Sequence, residues 1–156
     1  MKIDWVKKVE VKDKKRRLKD AKKIIEDWGL KMPENKDQFA IDFGLDDYEN
    51  IGDVEFMVAN ELKEGYCGKF LFLFKNQTCP LHHHDKKHET FFIVKGKVLM
   101  HADKRKFTMK QGDCFVVKQG VEHKFSSVDG TALILEVSKP CEPGDSIFAD
   151  EKIGKI

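Results

Sequence analysis

From about residue 38 onward the chain reads as a succession of short β-runs, and nothing else in it limits the fold as much. The runs fall at 38–43, 53–60, 68–74, 89–94, 97–102, 106–109, 113–117, 122–127 and 131–138. Turn signals separate them: Lys95-Gly96-Lys97, Gln111-Gly112-Asp113, Gln119-Gly120 and Asp129-Gly130. Many short strands at regular spacing, with no helix between them, predict an antiparallel barrel or sandwich. Phe70–Phe74 is apolar at every position, which predicts burial on both faces. One amphipathic helix precedes the strands, over 13–28. Leu18, Ala21, Ile25 and Trp28 recur at helical spacing, with Ile24 beside them. Asp13 is placed to cap it, Gly29 suits the position after its end, and Pro33 follows. Its apolar stripe is expected to pack on the sheet.

At 156 residues the chain has room for one domain with a real core and not for two, so residues 1–156 are expected to form a single domain. Charged residues make up 36%, but they nearly cancel to a formal +2, which argues against a nucleic-acid partner. The run Lys12, Lys14, Lys15, Arg16, Arg17 and Lys19 reads as a solvated helix face. Met1–Glu10 is charged and has no apolar centre, and no apolar stretch approaches a membrane span. A cytoplasmic protein with no membrane partner is therefore expected. Cys67, Cys79, Cys114 and Cys141 match no CxxC pattern and read as reduced thiols.

The chemistry concentrates in Cys79-Pro80-Leu81-His82-His83-His84-Asp85-Lys86-Lys87-His88-Glu89. In a strand, alternate side chains share a face, so His82 and His84 point one way and His83 the other. Glu89 follows after a turn, and a hairpin there returns its carboxylate to the two imidazoles. His123 opens a later strand and can supply a third nitrogen. Three imidazoles and one carboxylate suit Mn, Fe, Co, Ni or Zn, with positions left open for water or substrate. The bland alternative is a set of surface histidines. Asp85, Lys86 and Lys87 read as a solvated turn; His88 and His101 read as non-ligands.

These spacings resemble the two motifs of the cupin family. The first runs Gly, five residues, His-x-His, three or four residues, Glu, six residues, Gly. Here it reads Asn76, His82-His83-His84, Glu89 and Gly96, with Asn tolerating the left-handed turn conformation of the first Gly. The second reads Gly112, Lys118-Gln119-Gly120, His123 and Ser127, where the family's Pro and Asn are replaced. The resemblance implies a mainly β, single-domain cupin, a double-stranded β-helix or jelly-roll barrel with a core over about 66–140. It further implies one divalent metal on His82, His84, Glu89 and His123, and a homodimer.

Further segments are similar to the small D-lyxose isomerases within that family: Asp42-Phe43-Gly44-Leu45, Tyr66-Cys67-Gly68-Lys69, Gln77-Thr78-Cys79-Pro80, His88-Glu89-Thr90-Phe91 and Ile147–Ile153. Lys69 and Glu136 stand where that family carries an active-site Lys and Glu. The family's usual Arg near Lys152 and Asp near Ser146 are absent. The resemblance implies a sugar isomerase working through a cis-enediol, on D-lyxose and D-xylulose or on D-mannose and D-fructose, with manganese the first choice of metal. Glu136 is the expected base and Lys69 the donor, although the two roles are exchangeable. Burial is expected to raise the pKa of Glu136 and to lower that of Lys69. A structural ion pair between them is the competing reading. Asp150 and Lys152 either bind sugar hydroxyls from the C-terminal tail or belong to a tail ordered by Ile147 and Phe148. An Fe(II) dioxygenase and a non-catalytic sugar-binding cupin are the alternatives to the isomerase.

Overall fold

The computed structural model describes residues 3–156. Met1 and Lys2, at the head of the segment read above as lacking a leader, lie outside the described residues. A single 3₁₀ turn, Trp5–Val9, leads into helix α1, Lys14–Asp27. Among the described residues nine strands follow: β1 Gln38–Ile41, β2 Asp53–Glu61, β3 Tyr66–Leu73, β4 Thr78–His84, β5 Glu89–Ala102, β6 Arg105–Lys110, β7 Cys114–Val117, β8 His123–Ser138 and β9 Ser146–Phe148. The chain is mainly β, as its strand pattern requires. Among the described residues no helix is long and apolar enough to cross a membrane.

The strands form one curled antiparallel sheet, ordered β1-β2-β3-β8-β4-β9, with β5 pairing β6, β7 and β8. Two strands are longer than the turn signals predict. Lys95-Gly96-Lys97 and Asp129-Gly130 do not end their strands; they are irregularities inside β5 and β8. Registers shift between Ile93, Lys95 and Lys97 opposite β8. Gly96 has φ +80°, and a Cβ there would lie 2.3 Å from the Thr131 carbonyl oxygen. The backbones approach closely at that point, and the two long strands bend there together. The first half of β8 pairs with β4 and the second half with β3, so β5 and β8 belong to both walls of the barrel.

The run Phe70–Phe74 shows how the walls are built. Leu71 and Leu73 face the barrel interior, with Phe91, Ile93, Phe125 and Ile134. Phe72 faces the other way, into a second core with Ala21, Ile25, Val54, Phe56 and Leu133. Leu71, Phe72 and Leu73 are all buried, because each face of β3 has its own apolar partner. That partner on the outer face is α1, where Trp28 and Phe72 rings lie 6.1 Å apart.

The end of α1 is as expected. Gly29 has φ +77°, its N–H donates to the Glu26 carbonyl, and the Leu30 N–H reaches the Ile25 carbonyl. The start differs. The Asp13 side chain makes no capping bond to the helix backbone. Arg16 and Arg17, one turn along, draw its carboxylate away into ion pairs.

Candidate metal centre

Three strands bring the metal-type residues together. His82 and His84 are alternate residues of β4, His123 opens β8 directly opposite His82, and Glu89 opens β5. All four are buried, with His123 fully so. The ligand-type nitrogens of His82, His84 and His123 lie within 4.8 Å of one another. Glu89 Oε1 is 3.4 Å from His84 Nε2, and Oε2 is 3.2 Å from His123 Nε2.

The outer shell fixes which nitrogen faces the centre. His82 Nδ1 lies 2.8 Å from the Pro80 carbonyl, His84 Nδ1 3.1 Å from that of Asp145, and His123 Nδ1 2.9 Å from that of Val121. A carbonyl only accepts, so each Nδ1 carries the proton and each Nε2 presents a lone pair. Those lone pairs meet a carboxylate that also only accepts. His84 Nε2, His123 Nε2 and Glu89 Oε2 are buried without a hydrogen-bond partner. Buried acceptors facing one another are unfavourable unless a cation lies among them. The donor set therefore fits a divalent ion of intermediate hardness. Burial, together with the neighbouring His123 and His84, holds the His82 imidazole neutral, the form that ligates.

Lys69 and Glu136 are direct cross-strand partners on β3 and β8, and both point into the barrel. They are 3.7 Å apart, while Lys69 Nζ donates to Glu55 Oε1 at 3.0 Å. Burial opposes the charge on Lys69, but the Glu136 and Glu55 carboxylates outweigh it and hold its pKa well above the ordinary value. The expected fall toward neutrality is thus reversed by Glu136 first and then by Glu55, which was absent from the sequence reading and enters from β2.

Lys87 is the larger correction. It is not a solvated turn residue but is 4% exposed, with Nζ 3.5 Å from both Glu89 Oε1 and Glu136 Oε1. Asp145 forces this geometry from immediately before β9, the strand next to β4. Its carboxylate accepts the backbone N–H groups of Lys86 and Lys87, at 2.9 and 3.1 Å, and its carbonyl holds His84. The turn is thereby folded inward and delivers the Lys87 side chain to the interior. Burial disfavours the Lys87 charge, and the neighbouring Cys141 and Glu136 more than compensate, so its pKa is raised. The Ser138 hydroxyl donates to Glu136 Oε1 at 3.0 Å.

His82, His84, Glu89, Lys69, Lys87 and Glu136 wall a narrow chamber of about 50 Å³ inside the barrel. Glu55, Lys69, Lys87 and Phe148 are shared with an outer cavity of about 60 Å³, lined also by Trp5, Val6 and Ile156. Phe148 stacks on the His82 ring, centroids 5.0 Å apart, because β9 pairs with β4. The C-terminal segment is therefore ordered by packing. Asp150 and Lys152 are exposed and line neither space; Asp150 Oδ1 accepts the Lys152 N–H within a surface turn. The thiols are unpaired covalently, as expected, although Cys67 and Cys141 Sγ lie 3.6 Å apart on the outer-cavity side.

Residues 71–138 match the model of the Cupin domain family. Over 152 residues the chain is 28% identical to a D-lyxose/D-mannose isomerase of Thermosediminibacter oceani, covering 80% of this chain and 83% of the relative. Among solved structures it is similar to the L-ribose isomerase of Cellulomonas parahominis with L-ribose, with a TM-score of 0.74, 16% identity, and 93% and 94% of the two chains covered. The L-ribose isomerase of Acinetobacter sp. DL28, also with L-ribose, gives a TM-score of 0.69 at 16% identity, over 85% and 82%. At such identities the structural likeness is one of fold.

Proposed function

From its cupin fold and its match to the Cupin domain over residues 71–138, we propose that the chain is a metal-dependent aldose–ketose isomerase. In this reading it interconverts D-lyxose and D-xylulose, with D-mannose and D-fructose as the second pair. The stated specificity of the Thermosediminibacter relative supports that substrate class. One observation carries the reading: a single buried ammonium, Lys87, lies 3.5 Å from both Glu89 and Glu136. The ion-holding carboxylate and the carboxylate suited to proton transfer thus belong to one contiguous site.

His82, His84, His123 and Glu89 would hold the ion, with Mn first and Co, Ni, Fe or Zn suiting the same donors. A divalent metal held there would supply a Lewis acid for an open-chain sugar, worth several kcal/mol. The remaining work falls to the protein's own side chains. Isomerisation moves one proton from C2 to C1 and one from O2 to O1. Glu136 takes the proton from C2 and returns it to C1; one carboxylate serving one face of the substrate gives the cis-enediol. Ser138 holds that carboxylate from one side. Lys69 and Lys87 both remain charged, which favours them as hydrogen-bond donors to the developing oxyanion and leaves Glu136 as the base. Phe43, Phe125 and Phe148 line the chamber and exclude bulk water. Asp150 and Lys152 have no part in this mechanism.

The test is a ketose assay of the purified protein with Mn²⁺ against pentoses and hexoses, before and after EDTA. D-Xylulose from D-lyxose, or D-fructose from D-mannose, is expected, lost with EDTA and restored by Mn²⁺. No ketose from any sugar overturns the proposal, and oxygen uptake with Fe(II) would point to the dioxygenase instead.

A further inference from the structure

One buried ionisable group in the chamber takes no part in holding the metal or moving the proton. Asp53 and Glu55 alternate on β2 and both enter the barrel wall. Glu55 is neutralised by Lys69 at 3.0 Å. Asp53 has no such partner. It is 1% exposed, and its Oδ1 has no hydrogen bond among the described residues. The two ammonium groups of the chamber are already engaged, Lys69 with Glu55 and Glu136, Lys87 with Glu89 and Glu136. A buried polar atom without a partner is destabilising by about 1–3 kcal/mol, so the fold gains nothing from this carboxyl. Leu71 and Cys79 wall the same space, and an apolar side chain in place of Asp53 would suit them better.

We propose that Asp53 is a substrate-binding residue, which takes a hydroxyl group of the sugar chain beyond the two reacting carbons. The inference rests on the isomerase reading and narrows its substrate class. Burial, reinforced by the Glu55 charge, holds the Asp53 carboxyl well above the usual carboxylate range. A neutral carboxylic acid offers one donor and acceptor sites, which is what a sugar hydroxyl needs in return. The charged carboxylates of the chamber disfavour anionic sugars. Glu55 and Glu136 face the chamber, and among the described residues both of its ammonium groups, Lys69 and Lys87, are already balanced by carboxylates, so a phosphate or a second carboxylate would add uncompensated negative charge. The substrate class is a neutral polyhydroxy aldose, not a sugar phosphate or sugar acid.

The experiment compares the Mn²⁺-loaded wild type with Asp53→Leu and Asp53→Asn. Free aldoses and an aldose phosphate are the substrates, and pentitol binding is followed by calorimetry. Loss of one buried hydrogen bond to substrate predicts a KM raised roughly 10- to 100-fold in Asp53→Leu. The value of kcat should change much less, and the melting temperature should equal or exceed that of the wild type. Asp53→Asn, which keeps a donor and an acceptor, should recover most of the affinity. The aldose phosphate should give no product. An unchanged KM in a folded Asp53→Leu overturns the assignment while leaving the isomerase reading intact, and efficient turnover of the phosphate overturns the substrate class. If the wild type converts no sugar, the isomerase reading fails, and pentitol binding decides Asp53 by itself. Weaker binding in Asp53→Leu then keeps it as a polyol contact, and equal binding removes it.

Discussion

The two faces of β3 are made from one uninterrupted apolar run, yet they look onto different worlds. Outward, Phe72 meets Ala21 and Ile25 of α1 in an apolar core with Val54, Phe56 and Leu133. Inward, Leu71 and Leu73 share their face with Lys69, whose ammonium contacts Glu55 and Glu136 within 3.7 Å. The outer face is stabilised by apolar burial, about 25 cal/mol per Å². The inner face sets desolvation of several charges against their mutual attraction, an exchange that seldom adds much net stability. The outer layer is thus the part that holds the barrel wall, and the inner layer is the part that can do chemistry.

Substitutions on each face should separate these roles. The largest expected effect is that of Glu136→Gln, which removes the proposed base while keeping its shape. Turnover should fall about 10²–10⁴-fold, with metal stoichiometry unchanged by elemental analysis. Its cost in stability should be the smaller effect, since Lys69 keeps Glu55 and Lys87 keeps Glu89. Full activity in Glu136→Gln would return the Lys69–Glu136 pair to a structural role. Next comes Phe72→Ala on the outer face. It empties a fully buried aromatic site, and urea unfolding should show a loss of about 3–5 kcal/mol. KM and metal affinity of the protein that remains folded should stay at wild-type values. A large change in kcat from Phe72→Ala would break the division between the two faces.

The same division explains what could be read from the sequence. The outer layer was legible because its signals are local: the helical spacing of Leu18, Ala21 and Ile25, and the unbroken run Phe70–Phe74. The meeting of His82, His84, Glu89 and His123 was legible too, from strand parity and motif spacing. Lys87 was not. Between Lys86 and His88 it looks like a polar turn, and what buries it is Asp145, 58 residues away. Glu55 escaped for a similar reason, since only the pairing of β2 with β3 brings it to Lys69, and Asp53 lines the same chamber two residues earlier on β2. Gly96 and Gly130 carry hairpin-type turn signals, yet they lie inside continuous strands; at Gly96 the glycine permits a close approach to the Thr131 backbone as readily as it would a turn.

The smallest effect is expected at the edge of the outer layer, and it tests whether apolar packing alone holds α1 there. Replacing a helix-capping Asp by Ala ordinarily costs about 0.5–2 kcal/mol. Asp13 makes no capping bond, and its carboxylate is instead shared by Arg16 and Arg17 on an exposed surface. Such surface pairs contribute about 0–1 kcal/mol, so Asp13→Ala should lose less than a true cap. The hydrogen bond from Arg16 lowers the Asp13 pKa. Its contribution is therefore present at neutral pH and disappears as pH falls through the acid range, where the carboxyl is protonated in the folded chain too. Urea unfolding of Asp13→Ala and wild type should differ by a few tenths of a kcal/mol at neutral pH and low salt. The difference should vanish in acid and in high salt. A larger loss that survives both conditions would mean that the helix start, and not only the stripe of Ala21 and Ile25, fixes α1 against the barrel wall.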